Sequence, residues 1–229
     1  MRYRGISCFL PVYNEKKEIK QVVLSARAVL ERLFEDYEII IVNDGSTDNS
    51  LEISKKLAEE NSHIKIISHP TRQGYAQALK TGFRAAEKEL IFYTDADNQF
   101  DFRELPKLLS LISCAGIVYG FRIKRSDSFR RRFFSWLYNL IIRLFLGLRV
   151  KDVNASFKLY KREIFERIKI TSTSFLIDAE ILTKTKKLGY TIKQIGVTHY
   201  PRRSGFSCFS LREGWRTLWE IIRLWRELR

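Results

Sequence analysis

An α/β fold with a mostly parallel central sheet and helices on both faces is predicted by three features of this sequence. Short, continuously apolar segments alternate with longer ones whose apolar residues recur at helical spacing, three apolar segments end in polar clusters, and no internal repeat or low-complexity tract interrupts the order. Strands covered on both faces read as unbroken apolar runs, whereas the covering helices bury a single stripe. With 229 residues, 45% hydrophobic and 29% charged, the chain has the length and composition of a globular protein with a sizeable core.

"GISCFLPVYNE" opens with a β-rich run, and apolar residues at helical spacing follow from Glu18 to Phe34. "YEIIIVNDGSTDNS" repeats the plan with a buried strand at Glu38–Val42, a polar turn, and a helix from about Asp48 to Glu60. "IKIISH" is a third strand, "QGYAQALKTGFRAAEK" a third helix and "ELIFYTD" a fourth strand. The clusters at the strand ends are Asn14-Glu15, Asn43-Asp44-Gly45 and Asp95-Ala96-Asp97. Open α/β sheets of the nucleotide-binding type bind ligands beyond the carboxyl ends of their strands, so the clusters are expected to share one cleft. After Leu111 the alternation weakens into a basic loop, "FRIKRSDSFRRR", an apolar helix over 133–148, "VKDVNASFKLYKREIF", a helix over about 176–188 and a strand in "TIKQIGVTHY". In the final segment Leu211, Trp215, Leu218, Trp219, Ile222 and Trp225 form one stripe, with five Arg and three Glu on the other face.

Charge is unevenly shared. Residues 1–101 carry 14 Lys/Arg and 16 Asp/Glu, a net of −2, and residues 102–229 carry 27 and 10, a net of +17. The second half therefore faces an anion: a phosphate, a nucleic acid or an anionic membrane surface. Nucleic acid is disfavoured, because the aromatic residues near 133–145 lie in an apolar helix instead of alternating with basic residues on a strand platform. Cys8, Cys114 and Cys208 show no ligand spacing, which points to a reducing cytosol. No secretory leader is read at Met1, and the most apolar window, 133–148, is interrupted by Arg143 and falls short of the roughly 20 residues of a membrane span.

The chemistry concentrates in "FYTDADNQFD". Asp95, Asp97 and Asp101 repel one another, and Asp95 and Asp97 have the spacing to direct carboxylate oxygens at one hard divalent ion, with waters and a diphosphate completing its shell. An isolated Asp-X-Asp equally describes solvated loop carboxylates. In "NDGSTDNS", Gly45 supplies a turn and Ser46 or Asp48 a helix cap, which leaves the Asp44 carboxylate to hold a base or ribose. Pro11 suits a strand end, and Tyr13 and Glu15 offer a ring and an acceptor to a nucleoside, with ordinary packing as the alternative for Tyr13.

Together "PVYNE", "VNDGSTDNS", "TRQGYAQALKTGF", "DADNQFD", the "GFR" at 120–122, "KDVNASFKLYKREIF" and "RRSGFS" resemble, in order and spacing over about residues 5–207, the family 2 glycosyltransferases. The narrower resemblance is to the dolichol-phosphate mannose synthase-like branch of polyprenyl-phosphate glycosyltransferases. It implies a GT-A, Rossmann-like fold in which Pro11, Tyr13, Glu15, Asp44 and Asp95 contact the donor nucleotide. Asp95, Asp97 and Gln99 take metal and diphosphate positions for Mg²⁺ or Mn²⁺, Arg122, Arg131 and Ser135 receive the acceptor phosphate, and Arg202 grips the donor diphosphate. Asp97, Arg122, Arg131, Asp152 and Arg202 form the expected catalytic set. The chain departs from the family pattern at "FDFRELP", at "NASF" and at Tyr75, changes that bear on the donor more than on the reaction class.

The resemblance further implies residues 1–210 as a GT-A domain, with a nucleotide and metal half at 1–101 and an acceptor half at 102–210, followed by an amphipathic helix at 211–229. A lipid monophosphate is already anionic, so its attack on the anomeric carbon, inverting configuration, needs charge neutralisation by the arginines and the metal more than a base. Helices 133–148 and 211–229 have the Trp, Phe, Leu and Arg content of interfacial helices, and packing on the core, a second subunit or a membrane-protein partner is the alternative. The expected location is peripheral, on the cytosolic face of a membrane. If a sugar hydroxyl were the acceptor, a base would be required, with Asp152 or Asp178 as candidates.

Overall fold

The computed structural model describes residues 3–123, 129–201 and 211–227. The strands, in chain order, are β1 (Gly5–Val12), β2 (Asp36–Asp44), β3 (Ile64–His69), β4 (Leu90–Tyr93), β5 (Ile117–Arg122), β6 (Lys158–Lys161) and β7 (Ile192–Val197). They form one sheet in the order β3-β2-β1-β4-β6-β5-β7, in which β6 alone runs against its neighbours. The helices are α1 (Ile19–Leu33), α2 (Ser50–Glu60), α3 (Tyr75–Ala85), α4 (Leu105–Ile112), α5 (Phe129–Leu146), α6 (Glu163–Arg167), α7 (Ile177–Lys187) and α8 (Leu211–Glu227).

Alternation along the strands divides the core in two. Ile6, Cys8 and Leu10 of β1 join residues of α1, α2 and α4 on one face, while Phe9 joins α3, α5, α7 and α8 on the other. Phe9 stacks on Tyr93 and meets the edge of Phe83, and the ring of Phe9 would stand 2.3 Å from a Cβ at Gly82. The glycine is what lets α3 lie this close to the sheet.

The first four strands and three helices follow the expected order. The second half is more regular than its pattern indicates, because β5 and β6 are strands where the alternation fades. β6 is four residues long with lysine at both ends, so it lacks the continuous apolar signature of a buried strand. Because β6 is antiparallel to β4, with Lys158 opposite Tyr93, its amino end lies at the carboxyl end of β4. The acceptor-side segment "NASFK" is thereby delivered to the same edge as "DAD". Among the described residues, no helix is long and apolar enough to cross a membrane.

Candidate active site

β1 lies between β2 and β4, so chain order reverses beside it, and a ligand crevice is expected at this switch point. Pairing of β1 with β4 stops at Phe9 and Tyr93, whereas β1 itself continues to Val12, so the two chains part there. Pro11 falls in the parted stretch, paired only with β2 opposite Val42, where its missing amide hydrogen leaves the β4 side untouched.

The loops beyond the strands are laced together by polar contacts. The Asn14 side-chain oxygen accepts from the Thr47 amide at 2.8 Å, the Ser46 hydroxyl accepts from the Asn14 amide at 3.1 Å, and Ser50 Oγ accepts from the Glu15 amide at 2.8 Å. Glu15 is buried and its carbonyl starts α1 by accepting from the amides of Glu18 and Ile19. The Arg72 guanidinium lies over the Tyr13 ring, 4.1 Å from its centroid. Asn98 donates to Glu18 at 3.3 Å, tying the "DADN" loop to the start of α1.

Asp44 is engaged within the fold. Beyond any contact with a base or ribose, its carboxylate accepts from His69 Nδ1 and the Gln73 amide, each at 2.8 Å, and from the Gly74 amide at 2.8 Å. Backbone amides are invisible to motif reading, and here they make Asp44 the clamp of the 70–74 loop. Gly45, at φ +63°, lies under that loop, and a Cβ there would stand 2.4 Å from the Arg72 nitrogen. Gly147 has nearly the same φ, +64°, with nothing within 4 Å of its Cβ position. We therefore expect Gly45→Ala to cost about 2–5 kcal/mol, left-handed strain plus overpacking, against about 1–2 for strain alone in Gly147→Ala. Urea denaturation of the two variants checks the difference, and equal costs would remove the clamp.

The three acidic residues of "DADNQFD" have separate fates. Asp101 accepts from the Arg103 amide and binds its guanidinium at 2.7 Å, which together hold its carboxyl below the usual carboxylate range. Burial and the charge of Asp97 push the Asp95 carboxyl up to about 7, against the opposing hydrogen bond from Ser156. Two acids whose charges oppose each other in this way fit a divalent ion, whose charge would offset that repulsion. No group of three or more His, Cys, Asp or Glu side chains is placed to hold a metal among the described residues, so Asp95 and Asp97 would need other oxygens to complete a shell.

Below Asp95 is a buried network that the sequence pattern did not reveal. Lys158 and Asp178 are 0% and 1% exposed and form a 2.6 Å ion pair, and Tyr93 donates to the same Asp178 oxygen at 2.5 Å. Burial pushes the Lys158 ammonium down from its ordinary value, and Asp178 and Asp95 oppose that shift. The available signal was an aspartate set among apolar residues in the first turn of α7.

Gln99 is likewise engaged: its side-chain nitrogen donates to the Tyr200 carbonyl at 2.9 Å and its own carbonyl accepts from the Tyr200 amide at 2.9 Å. With the adjacent Phe100–His199 bridge, this seats the segment entering "RRSGFS" against the acid loop. Arg202 and the Arg131 side chain lie outside the described residues. Arg122 and Asp152, both in the expected catalytic set, form one fork: Nε and Nη2 donate to the two carboxylate oxygens at 2.6 and 2.7 Å. Asp152 holds a left-handed φ of +64° in doing so. Ser135 accepts through its carbonyl from Asn139 at 2.7 Å, and Asn139 in turn accepts from the Val153 amide, so α5 is tied to the Asp152 turn.

A mostly parallel sheet that carries an acid pair beyond the β4 end, facing a clamped loop across the switch point, defines the GT-A class of folds. The chain belongs to glycosyl transferase family 2, whose sequence model matches residues 7–169. It is 31% identical over 224 residues to undecaprenyl-phosphate 4-deoxy-4-formamido-L-arabinose transferase of Yersinia enterocolitica, covering 96% of this chain and 67% of that protein. It is 25% identical over 224 residues to dodecaprenyl-phosphate galacturonate synthase of Rhizobium johnstonii, covering 95% and 65%. The chain thus spans about two thirds of the length of these relatives. Glucosyl-3-phosphoglycerate synthase from Mycobacterium tuberculosis, crystallised with Mn²⁺, UDP and phosphoglyceric acid, superposes with a TM-score of 0.73 at 21% identity, covering 96% of this chain and 77% of that one. The same synthase with Mg²⁺ and UDP gives 0.72 at 19%, covering 96% and 78%. At these identities the likeness establishes a shared fold.

Proposed function

We propose that this chain transfers a hexose from a GDP- or UDP-sugar to a polyprenyl or dolichyl phosphate, with inversion at the anomeric carbon. The observation that carries the reading is the Asp95–Asp97 pair at the switch point, with Asp95 raised to about 7 by burial and by its neighbour. The names of the Yersinia and Rhizobium relatives contain undecaprenyl phosphate and dodecaprenyl phosphate, which favours a lipid phosphate as acceptor. A structural observation favours it too. The two carboxylates considered as bases for a hydroxyl acceptor are committed elsewhere, Asp152 to the fork of Arg122 and Asp178 to Lys158 and Tyr93. A phosphate oxygen needs no base, so these commitments cost the proposed reaction nothing.

Mg²⁺ or Mn²⁺ held by Asp95 and Asp97 would supply charge stabilisation to the departing nucleoside diphosphate. In this reading Asp44 holds the 70–74 loop as one wall of the nucleoside site, with Pro11, Tyr13 and Glu15 as the other. Gln99 fixes Tyr200, two residues before Arg202, which this reading assigns to the diphosphate. Arg122, oriented by Asp152, and Arg131 and Ser135 on α5 form the acceptor side, where positive charge lowers the repulsion between two phosphates.

The acceptor also asks for a membrane surface. Trp136 and Leu144 of α5 are 60% and 70% exposed, Trp219 of α8 is 72% exposed, and the two helices meet through Phe145 and Trp225. Apolar side chains of this size beside exposed Arg143 and Arg223 suit an anionic lipid interface. The test is transfer from a panel of sugar nucleotides with Mg²⁺, offering undecaprenyl or dolichyl phosphate in anionic vesicles, or free sugars. We expect product with a lipid phosphate only, and vesicle binding that Trp219→Ser with Leu144→Ser weakens at least tenfold. Transfer to free sugars in the absence of lipid phosphate would sink this reading.

A further inference from the structure

One carboxylate of α8 has no part in the proposed transfer. Glu220 points inward beside the outward Trp219, and its Oε1 accepts from the Thr173 amide at 2.9 Å and the Thr173 hydroxyl at 2.5 Å. Its Oε2 accepts from the Ser174 hydroxyl at 2.5 Å. Arg216, one turn earlier, donates to Thr173 Oγ1 at 2.7 Å. From the opposite side Glu180 of α7 accepts from the Thr171 amide and hydroxyl, each at 2.8 Å, and from the Ser172 amide at 2.7 Å. An irregular segment, 171–174, is thus gripped by two carboxylates from two helices, through charge-assisted hydrogen bonds that are stronger than neutral ones.

Phe175, next in the chain after the gripped segment, reaches the donor site. Its ring packs on Tyr75 with centroids 5.5 Å apart, and Tyr75 hydrogen-bonds Tyr93 and lies close enough to Asp95 for that charge, after burial, to raise its hydroxyl further. Tyr75 is also the residue after Gly74, whose amide Asp44 holds. Contacts therefore run from α8 through residues 173–175 to Tyr75, which adjoins the 70–74 loop and meets Tyr93 at the β4 end that leads into the acid loop.

We propose that Glu220 is a positioning residue for the donor site: it fixes Phe175 against Tyr75, so that the loop beside Asp95 is ordered only while α8 is seated. This rests on the proposed donor reading of that site. A glutamine at 220 removes the charge and leaves the Ser174 hydroxyl without its acceptor, so the charge-assisted bonds to residues 173 and 174 weaken and the segment opens locally. A site left competent about one-tenth of the time binds its ligand about tenfold more weakly.

The experiment uses the full chain and two readouts. In hydrogen–deuterium exchange without ligand, Glu220→Gln is expected to accelerate the amides of residues 73–77 together with 173–176 at least tenfold, leaving those of 221–227 protected. In titrations with Mg²⁺ and the UDP- or GDP-sugar that the wild type binds, Glu220→Gln and Phe175→Ala should each weaken binding about tenfold, and the double variant no further, as expected of coupled sites. Faster exchange confined to 173–176, unchanged donor affinity, or additive losses would each overturn the proposal. Thr173→Val, which removes one donor to Glu220, replaces Glu220→Gln if that variant does not fold. A wild type that binds no sugar nucleotide defeats the donor reading instead, and exchange at 73–77 still decides the coupling.

Discussion

Asp97→Ala is expected to abolish divalent-ion-dependent binding of the sugar nucleotide and to lower transfer by about 10³-fold, roughly 4 kcal/mol of transition-state stabilisation. Of the two acids, Asp97 is the better probe, because its charge, after burial, is the next largest cause of the raised Asp95 carboxyl. Its removal should therefore return the Asp95 carboxyl toward ordinary carboxylate behaviour. The sign of the accompanying pH effect is set by linkage. Between an unfolded value of about 4 and about 7, the folded chain keeps a proton on Asp95 that the unfolded chain releases, so this group's stabilisation fades as pH rises through that window. Mg²⁺ replaces the proton, so its stabilising effect should grow over the same window. Thermal melts from pH 5 to 8, with and without Mg²⁺, check both points. Undiminished Mg²⁺-dependent nucleotide binding by Asp97→Ala would place the metal elsewhere.

The parts of this molecule legible in the sequence are those set by local pattern. The alternation of β1, α1, β2, α2, β3, α3 and β4 comes from apolar spacing, and Gly45 and the "DAD" loop fall at strand ends where the sheet brings them to one edge. The illegible parts depend on pairing across the fold. Nothing near Arg122 in sequence announces that both arms of its fork go to Asp152, thirty residues away. The clamp made by Asp44 is hidden because its partners are two backbone amides and a histidine brought in by β3. Asp178 and Glu180 are charged yet buried in α7, because Lys158 and the amides of 171–172 satisfy them. Polarity gives the side of a helix only when the partners are known.

Lys158 and Asp178 give the largest expected effect on stability. Both are buried, and each is the other's direct charge partner, so Asp178→Leu leaves an ammonium whose remaining hydrogen-bond partner among the described residues is the Tyr93 hydroxyl at 3.2 Å. Removing one member of such a pair costs about 3–5 kcal/mol, because the survivor stays desolvated without compensation. Lys158→Met should be as severe, since it strands the Asp178 carboxylate close to Asp95, whose charge already feels it. The double change Lys158→Met with Asp178→Leu removes both charges and fills similar volume, so most of the loss should be recovered. Chemical denaturation of the four proteins measures the coupling directly. Recovery of stability without recovery of Mg²⁺-dependent donor binding would assign the pair to the site, since Tyr93, and through it Tyr75, would have lost the acceptor that orients its hydroxyl. Additive losses in the double variant would instead show that the two charges do not compensate each other in the folded chain.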